Sequence, residues 1–404
     1  IGAKLPLVPP QFRDRELRVA VAHMNKRLPP GLYLPIFREK LPQFTILRVP
    51  PEESFAFHTK TRAPYLLIAE VQVLDLDSMP LTDTVVPGSP SDGESSMAGN
   101  TTMLRAIFGE PWSEKRERVH RNSPHVGTPA WALISFIVKS GDDLRQEQFA
   151  MHLIHLFQDI FQQSETSLWL RPYRVLVCSE DAGFIEAVPD CISLETLRLR
   201  TPGFTTLHAY FTLCYGEEGT PTFLEAQRKF VESMAAYAVV CFLLQVKDRH
   251  DGNVLLDREG HIIHIDYGFM FTNSPGQINF ERAPFKLTQE LVEVMGGRHS
   301  VVFMHFRELC VQGFLHARRS QSKILLLVEM MASGLGRELG LPCFSKGPAE
   351  TVSLLRRNFL PGQSEEECVS YVHSLIDQSF DNWTTRQYDN YQRISKGVSY
   401  IFGW

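Results

Sequence analysis

Cysteine is sparse and scattered in this 404-residue chain: its seven cysteines form no C-x-x-C pair and no close cluster. That argues against a zinc module or a disulfide framework and suits a reducing compartment. Long hydrophobic runs are missing too. No window reaches the ~18 uninterrupted apolar residues a membrane-spanning helix needs, so any membrane attachment is expected to be peripheral. Residues 1–10 lack the basic stretch and apolar core of a signal peptide. Excess charge of one sign is absent as well. A formal net charge of −5 gives no global attraction to nucleic acid, which is not an expected partner, and any contact with acidic lipid needs a local basic patch. There is no internal repeat of the ~20 to 50 residue period of a solenoid. An initiator methionine is also lacking, so the chain, which starts at Ile1, is expected to be a piece of a longer protein.

What is present is ordinary globular sequence, 44% apolar and 22% charged, in a chain longer than the ~100 to 150 residues of one typical domain. Residues 14–27 have helical spacing and stop at Pro29 and Pro30. Short β-rich runs at 45–49, 54–58 and 65–73, separated by proline and polar residues, read as an antiparallel sheet. Residues 75–100 mix Ser, Gly, Pro, Thr and Asp with too little apolar surface to order themselves, and read as a flexible insertion. Strand character returns at 131–139 and 173–178, on either side of a helical period at 146–163. After Pro189 the pattern is mainly helical, with helices expected at 223–244, 303–319, 322–333 and 365–379. An α+β, two-lobed architecture follows: a lead-in helix over 1–30, a β-rich lobe over 31–187 and an α-rich lobe over 188–404.

The most informative stretch is VKDRHDGNVLLDREGHIIHIDYGFMF, residues 246–271. It holds Asp248, Asn253 and Asp266. Phosphoryl transfer from ATP calls for such a set: an acid or base meets the attacking hydroxyl, while an amide oxygen and a carboxylate hold Mg²⁺ against the phosphates. Apolar runs at 254–256 and 261–265 flank the turn 257–260, a hairpin that brings Asn253 and Asp266 to one metal site. Gly268 can take dihedrals other residues avoid, which suits the start of an activation segment. Singly, each of these would read as a turn residue; the spacing of the three, beside the polar run 247–253, points to a site. Lys139 closes the apolar run 132–138, where a kinase places the cation that holds the α and β phosphates.

Together VKDRHDGN, GHIIHIDYGF and IVKSGDDLRQE resemble the phosphoinositide 3- and 4-kinase superfamily, whose catalytic loop reads DRH where protein kinases have HRD. RAPYLL, PWSEK, AQRKFVESMAAYAVVCFLLQ, APFKLTQELVEVMGG and LPCF are similar to its type III beta phosphatidylinositol 4-kinases. The resemblance runs from about residue 25 to about residue 396. It implies a protein-kinase-like fold and the use of ATP and Mg²⁺, with Mn²⁺ as the alternative cation. It implies that Lys139 contacts ATP, that residues 59–64 cap the phosphates through Thr59, Lys60, Thr61 and Pro64 in place of a Gly-rich loop, and that the hinge is 184–191. Adenine would then bond backbone near Val188 in a pocket lined by Tyr173, Ile185 and Ala187. Glu147 would pair with Lys139 or help place the nucleotide. Two residues are candidates for proton transfer: Asp248 by analogy with protein kinases, and His250 because imidazole titrates near neutral pH. The chain departs from the family in reading DRHDGN for DRHNGN and DYG for DFG, so Asp251 adds a carboxylate near the site and Tyr267 alters packing of the activation segment.

The activation segment 266–288 carries only Arg282 and Lys286 as basic residues, fewer than a multiply phosphorylated inositide would call for. Plain phosphatidylinositol is the expected lipid and phosphatidylinositol 4-phosphate the expected product. Tyr400, Ile401, Phe402 and Trp404 beside Arg393 and Lys396 suit either a membrane interface or a C-terminal helix packed on its own lobe. The patch 316–323, HARRSQSK, reads as a solvated helix face. The resemblance further implies Golgi membranes, Rab- and Arf-type small GTPases and Golgi adaptor proteins as surroundings. A 3-kinase or protein kinase of the superfamily, or a scaffold recruiting such GTPases, are the competing expectations.

Overall fold

The computed structural model describes residues 1–33, 44–57, 62–74, 100–275, 283–334, 340–382, 384, 385 and 387. Thr59, Lys60, Thr61 and Arg282, the expected insertion except Asn100, and the aromatic and basic C-terminal residues lie outside the described residues.

Helix α1 (Arg13–Asn25) is followed by strands β1 (Phe44–Arg48), β2 (Phe55–Ala56) and β3 (Tyr65–Val73). Helices α2 (Thr101–Phe108) and α3 (Trp112–Arg121) come next, then β4 (Trp131–Ser140), α4 (Arg145–Gln163), β5 (Val175–Ser179) and β6 (Ala182–Glu186). The strands form one antiparallel sheet in the order β1-β3-β4-β6-β5, with β2 also on β3. The sheet is covered on both faces, and β3 shows how. Its alternate residues Leu66 and Ile68 join the main core with Leu133, Ile137 and α4, whereas Tyr65, Leu67, Ala69 and Val71 pack against Leu17 and Val21 of α1. Period-two alternation that is apolar on both sides gives the nearly continuous apolar run of this strand.

The second lobe starts at β7 (Cys191–Ser193), α5 (Leu194–Arg200) and α6 (Leu207–Tyr215) and is built around α7 (Pro221–Leu244). Thr220 caps the N-terminus of α7 through Phe223 N–H, and from Phe230 on every position of the helix is buried, so that part is apolar nearly all round rather than amphipathic. The hairpin β8 (Val254–Asp257) and β9 (Ile262–His264) forms a three-stranded sheet with β7. Helices α8 (Gln289–Val294), α9 (Val301–Arg319), α10 (Gln321–Gly334), α11 (Pro348–Asn358) and α12 (Glu365–Ser379) complete the lobe. One apolar core runs from the inner face of the large sheet through α4 to α7 and α9. The β-rich and α-rich halves are therefore packed as one body around the segment that joins β6 to β7.

Candidate active site

The end of α7 sets the site. Gln245 takes the left-handed conformation (φ 51°), which stops the helix and turns the chain into residues 246–253. Asp248 (φ 63°), Asp266 (φ 60°) and Phe271 (φ 53°) are also left-handed, so four of the nine non-glycine residues of this kind among the described residues fall within 245–271. Such backbone costs energy that the surroundings must offset, and it gathers at functional sites. Gly268 itself has no positive φ; the left-handed turn sits two residues earlier, at Asp266.

The hairpin joins the loop to the start of the activation segment. Val254 pairs with His264 across β8 and β9, and Ile265 N–H donates to Asn253 C=O at 3.1 Å, which places Asn253 next to Asp266. Asn253 Nδ2 donates to Asp248 C=O at 2.9 Å, so the amide nitrogen is committed and the oxygen is the atom left for a cation. His250 Nδ1 accepts the N–H of Gly252 at 3.0 Å, and its Nε2 lies 4.0 Å from Asp248 Oδ1. Arg249 is buried and donates to Ile265 C=O at 2.7 Å and to Asp266 C=O, with its guanidinium 5.4 Å from the centre of the Tyr267 ring. This arginine fixes the backbone of Asp266 and leaves the Asp266 carboxylate exposed toward the cleft.

The other wall comes from β4 and α4. Lys139 stands opposite Gly183 of β6, where any Cβ would sit 2.3 Å from the carbonyl oxygen of Leu176. Only glycine allows β5 and β6 to close beneath the lysine. Glu147 is buried in α4, accepts the Tyr173 hydroxyl, and accepts Tyr267 N–H at 2.6 Å. Burial, then the Asp266 carboxylate, push the Glu147 carboxyl above its usual range, with the Lys139 ammonium opposing them. For Asp266, enclosure by protein raises its pKa, but Lys139 and then Arg249 outweigh it and hold the carboxylate below its usual range. Lys139 thus acts on both carboxylates. Tyr173 is fully buried behind the cleft, and its hydroxyl also accepts Asp266 N–H at 3.3 Å.

Ile185, Ala187 and Val188 are buried in the crossing between the lobes. Both backbone groups of Ala187 are engaged by Ser135, N–H to carbonyl at 3.1 Å and carbonyl from hydroxyl at 3.3 Å, and Val188 C=O accepts the Cys191 thiol at 3.0 Å. Pro64 C=O accepts Phe57 N–H at 2.8 Å, while Thr59, Lys60 and Thr61 lie outside the described residues. Lys286 is buried, and its ammonium sits 2.9 Å from Asp251 rather than in the cleft.

Three contributors carry no motif of their own. Gln146 donates to Tyr267 C=O at 2.8 Å and Gly268 C=O at 2.7 Å and accepts Cys343 N–H at 2.8 Å, tying the activation segment to the LPCF turn. Arg198 and Glu290 join Asp251 and Lys286. Gln146 and Glu290 lie inside the segments IVKSGDDLRQE and APFKLTQELVEVMGG, but nothing in the spacing of these residues or of Arg198 indicates what they would meet.

The family model for phosphatidylinositol 3- and 4-kinase matches residues 133–335, half of the chain. The chain belongs to the phosphatidylinositol 3- and 4-kinase family. Over 325 residues, 77% of the chain, it is 51% identical to phosphatidylinositol 4-kinase beta 1 of Arabidopsis thaliana. It is 50% identical over 291 residues to a phosphatidylinositol 4-kinase of Dictyostelium discoideum, and 42% identical over 289 residues to phosphatidylinositol 4-kinase beta of Rattus norvegicus, 72% of the chain in each case. It spans 28%, 24% and 34% of those three proteins. In a kinase of this family a divalent cation bound to ATP must meet oxygen donors, and the residues present fit one: an Asn253 amide oxygen and an Asp266 carboxylate, both hard ligands. Among the described residues there is no group of three or more His, Cys, Asp and Glu that could hold a metal ion.

Proposed function

We propose that the chain is the catalytic part of a phosphatidylinositol 4-kinase, transferring the γ-phosphate of ATP to the 4-hydroxyl of phosphatidylinositol to give phosphatidylinositol 4-phosphate. The observation that carries the proposal is the meeting of Asp248, Asn253 and Asp266 opposite Lys139, in a chain half identical to proteins named phosphatidylinositol 4-kinase. Lys139 and the 59–64 loop hold the phosphates, and Val188, Ile185, Ala187 and Tyr173 form the adenine end. Asn253 and Asp266 hold Mg²⁺, which neutralises charge that builds on the transferring phosphoryl group.

The substrate proton leaves through the Asp248 and His250 pair. Because His250 Nδ1 accepts a backbone N–H, the neutral ring carries its proton on Nε2, the nitrogen that faces Asp248. The Asp248 carboxylate is then the better placed acceptor. Glu147 does not pair with Lys139 directly in this reading: it orients Tyr267 N–H and so the carboxylate of Asp266.

Attachment to Golgi membranes through Rab- or Arf-type small GTPases and adaptor proteins belongs to the same proposal and is supported by the resemblance of the chain. Among the described residues no helix is long and apolar enough to cross a membrane. The deciding experiment incubates the protein with phosphatidylinositol vesicles and radiolabelled ATP, alongside Asp266→Ala, and resolves product isomers by chromatography. A 4-phosphate lost in the variant supports the reading. A 3-phosphate moves the chain to the 3-kinases, and the absence of a lipid product with ATP still bound moves it to a protein kinase or scaffold.

A further inference from the structure

Asp251 lies two residues from Asn253, yet its side chain turns away from the catalytic centre. Its Oδ1 accepts Lys286 Nζ at 2.9 Å and its Oδ2 accepts Arg198 Nε at 3.0 Å. Arg198 continues to Glu290 through two bonds, 2.9 and 2.5 Å, and Glu290 Oε1 also accepts Leu207 N–H at 2.7 Å. Two carboxylates and two cations thus join the catalytic loop, α5, the start of α6, the first turn of α8 and the end of the activation segment. The Lys286 side chain is 4% exposed and that of Asp251 16%.

Residues 283–285 bend, and Leu287 then bridges to Phe380, which sets the placement of Lys286 between them. Phe285 N–H donates to Ser379 Oγ at 3.3 Å, and Leu287 C=O accepts Asp381 N–H at 2.9 Å, so the flanking residues face the C-terminal end of α12. Lys286 points the opposite way, into the catalytic loop. The strip 283–286 also forms one wall of a cavity of about 620 Å³ whose other lining includes Gln245, Lys247 and Arg249. At its other end the activation segment is held by Gln146 and Arg249, so the segment has two anchors, and Asp251 is the charged half of the second.

We infer that Asp251 and Lys286 form a positioning pair that docks the end of the activation segment on the catalytic loop and so sets how the lipid substrate is presented. Lys286 acts on the lipid through Asp251, not as a contact to its phosphate. This rests on the lipid kinase reading for its substrate, while the anchoring itself does not. Without the Asp251 charge the Lys286 ammonium loses this partner in a nearly closed site, which loosens the strip that Phe285 and Leu287 otherwise tie to the end of α12.

The test compares Asp251→Asn, Lys286→Met and the double variant with wild type in vesicle assays. It reads KM for phosphatidylinositol, KM for ATP and, by hydrogen exchange, protection of residues 283–288 against that of α4. Each single variant raises the lipid KM about tenfold while the ATP KM stays within about twofold, and the double variant is no worse than the worse single one, because both break one pair. Protection falls over 283–288 and not over α4. Additive losses, an ATP KM that moves with the lipid KM, or unchanged protection over 283–288 would each overturn the pair. If Asp251→Asn does not fold, Lys286→Met gives the same KM split and the same exchange readout. If wild type makes no lipid product, the lipid reading fails, and the exchange measurement still decides the anchoring.

Discussion

Two clusters of charge flank the catalytic loop, and they are balanced differently. Around Asp251, two carboxylates meet two cations, and burial of Asp251 is outweighed by Lys286 and Arg198, which hold its carboxyl well below the usual range. Around Asp266, the Lys139 ammonium acts on the carboxylates of both Glu147 and Asp266, while the Arg249 guanidinium, which also acts on Asp266, spends its donors on backbone carbonyls. A cluster that closes its own charge gives rigidity. In the other, Asp266 is held ionised without a salt-bridge bond to either cation named, and that carboxylate can meet the cation brought with ATP.

The largest effect should come from breaking the cluster around Asp266. Asp266→Ala is expected to lower lipid phosphorylation by about 10³-fold, since charge stabilisation dominates phosphoryl transfer. Its thermal midpoint should fall only modestly, through the loss of a carboxylate held ionised by Lys139 and Arg249 and the poor fit of alanine to a φ of 60°. A large fall in stability would mean that Asp266 belongs with the structural charges instead. Next in size, Asp248→Asn should cost about 10²-fold in kcat, with His250→Gln costing less and leaving the acid limb of the pH profile in place. An acid limb that disappears with His250 would transfer the proton-accepting role to the imidazole.

Stability sharpens the same contrast through two glutamates shifted in opposite directions. Burial pushes the Glu186 carboxyl up, but Arg174 and Arg171, which donate to it at 2.8 and 2.9 Å, outweigh that and hold it at about 2. A folded value below the unfolded 4.5 stabilises the protein above pH 4.5, an effect lost as pH falls toward 2 and worth about 3 kcal/mol at neutral pH. Glu147 is shifted the other way, so its ionisation costs stability once pH rises above the unfolded value of 4.5. Denaturant unfolding at a series of acid pH values should show the Glu186→Gln deficit shrinking as pH drops. Glu147→Gln should gain on wild type as pH rises and still lose activity. Parallel pH trends for the two variants would remove the distinction between a carboxylate closed by its own arginines and one in the site.

Much of this was legible in the sequence where one principle acts alone. Apolar periodicity located α4, α7, α9, α10 and α12 to within a few residues, and the two apolar runs around 257–260 became β8 and β9. Strands β6 and β7 were missed because they are short and carry Gly183, Glu186 and Ser193, whose fitness for a strand depends on what crosses them. Helix α2 was missed because it is only eight residues long and follows the polar stretch 75–100, although Met103, Leu104, Ile107 and Phe108 face the core, and the polar helix α3 was missed for want of an apolar stripe. Asp248, Asn253 and Asp266 could be assembled because one hairpin joins them locally. The partners of Asp251 could not, since Arg198 and Lys286 lie 53 and 35 positions away and meet it only through tertiary packing. Spacing along the chain carries no information about such charges.

The basic patch 316–323 offers the finest version of the comparison, between neighbours. Arg319 pairs with Glu365 at 2.9 Å, and both side chains are more than half exposed, as expected of a solvated helix face. Arg318, one residue earlier, instead donates to the carbonyls of Phe359, Leu360 and Gln363 at 3.0, 3.1 and 2.6 Å, where the chain leaves α11. One guanidinium fork satisfies three acceptors that have no helical partner. Arg318→Ala should therefore destabilise by about 1 to 2 kcal/mol, whereas Arg319→Ala should change stability by no more than about 0.5 kcal/mol and lose even that in high salt. Equal effects in denaturant unfolding would show that the carbonyls at the end of α11 find water as readily as arginine, and that position on a helix face, not the partner, sets the contribution of a basic residue here.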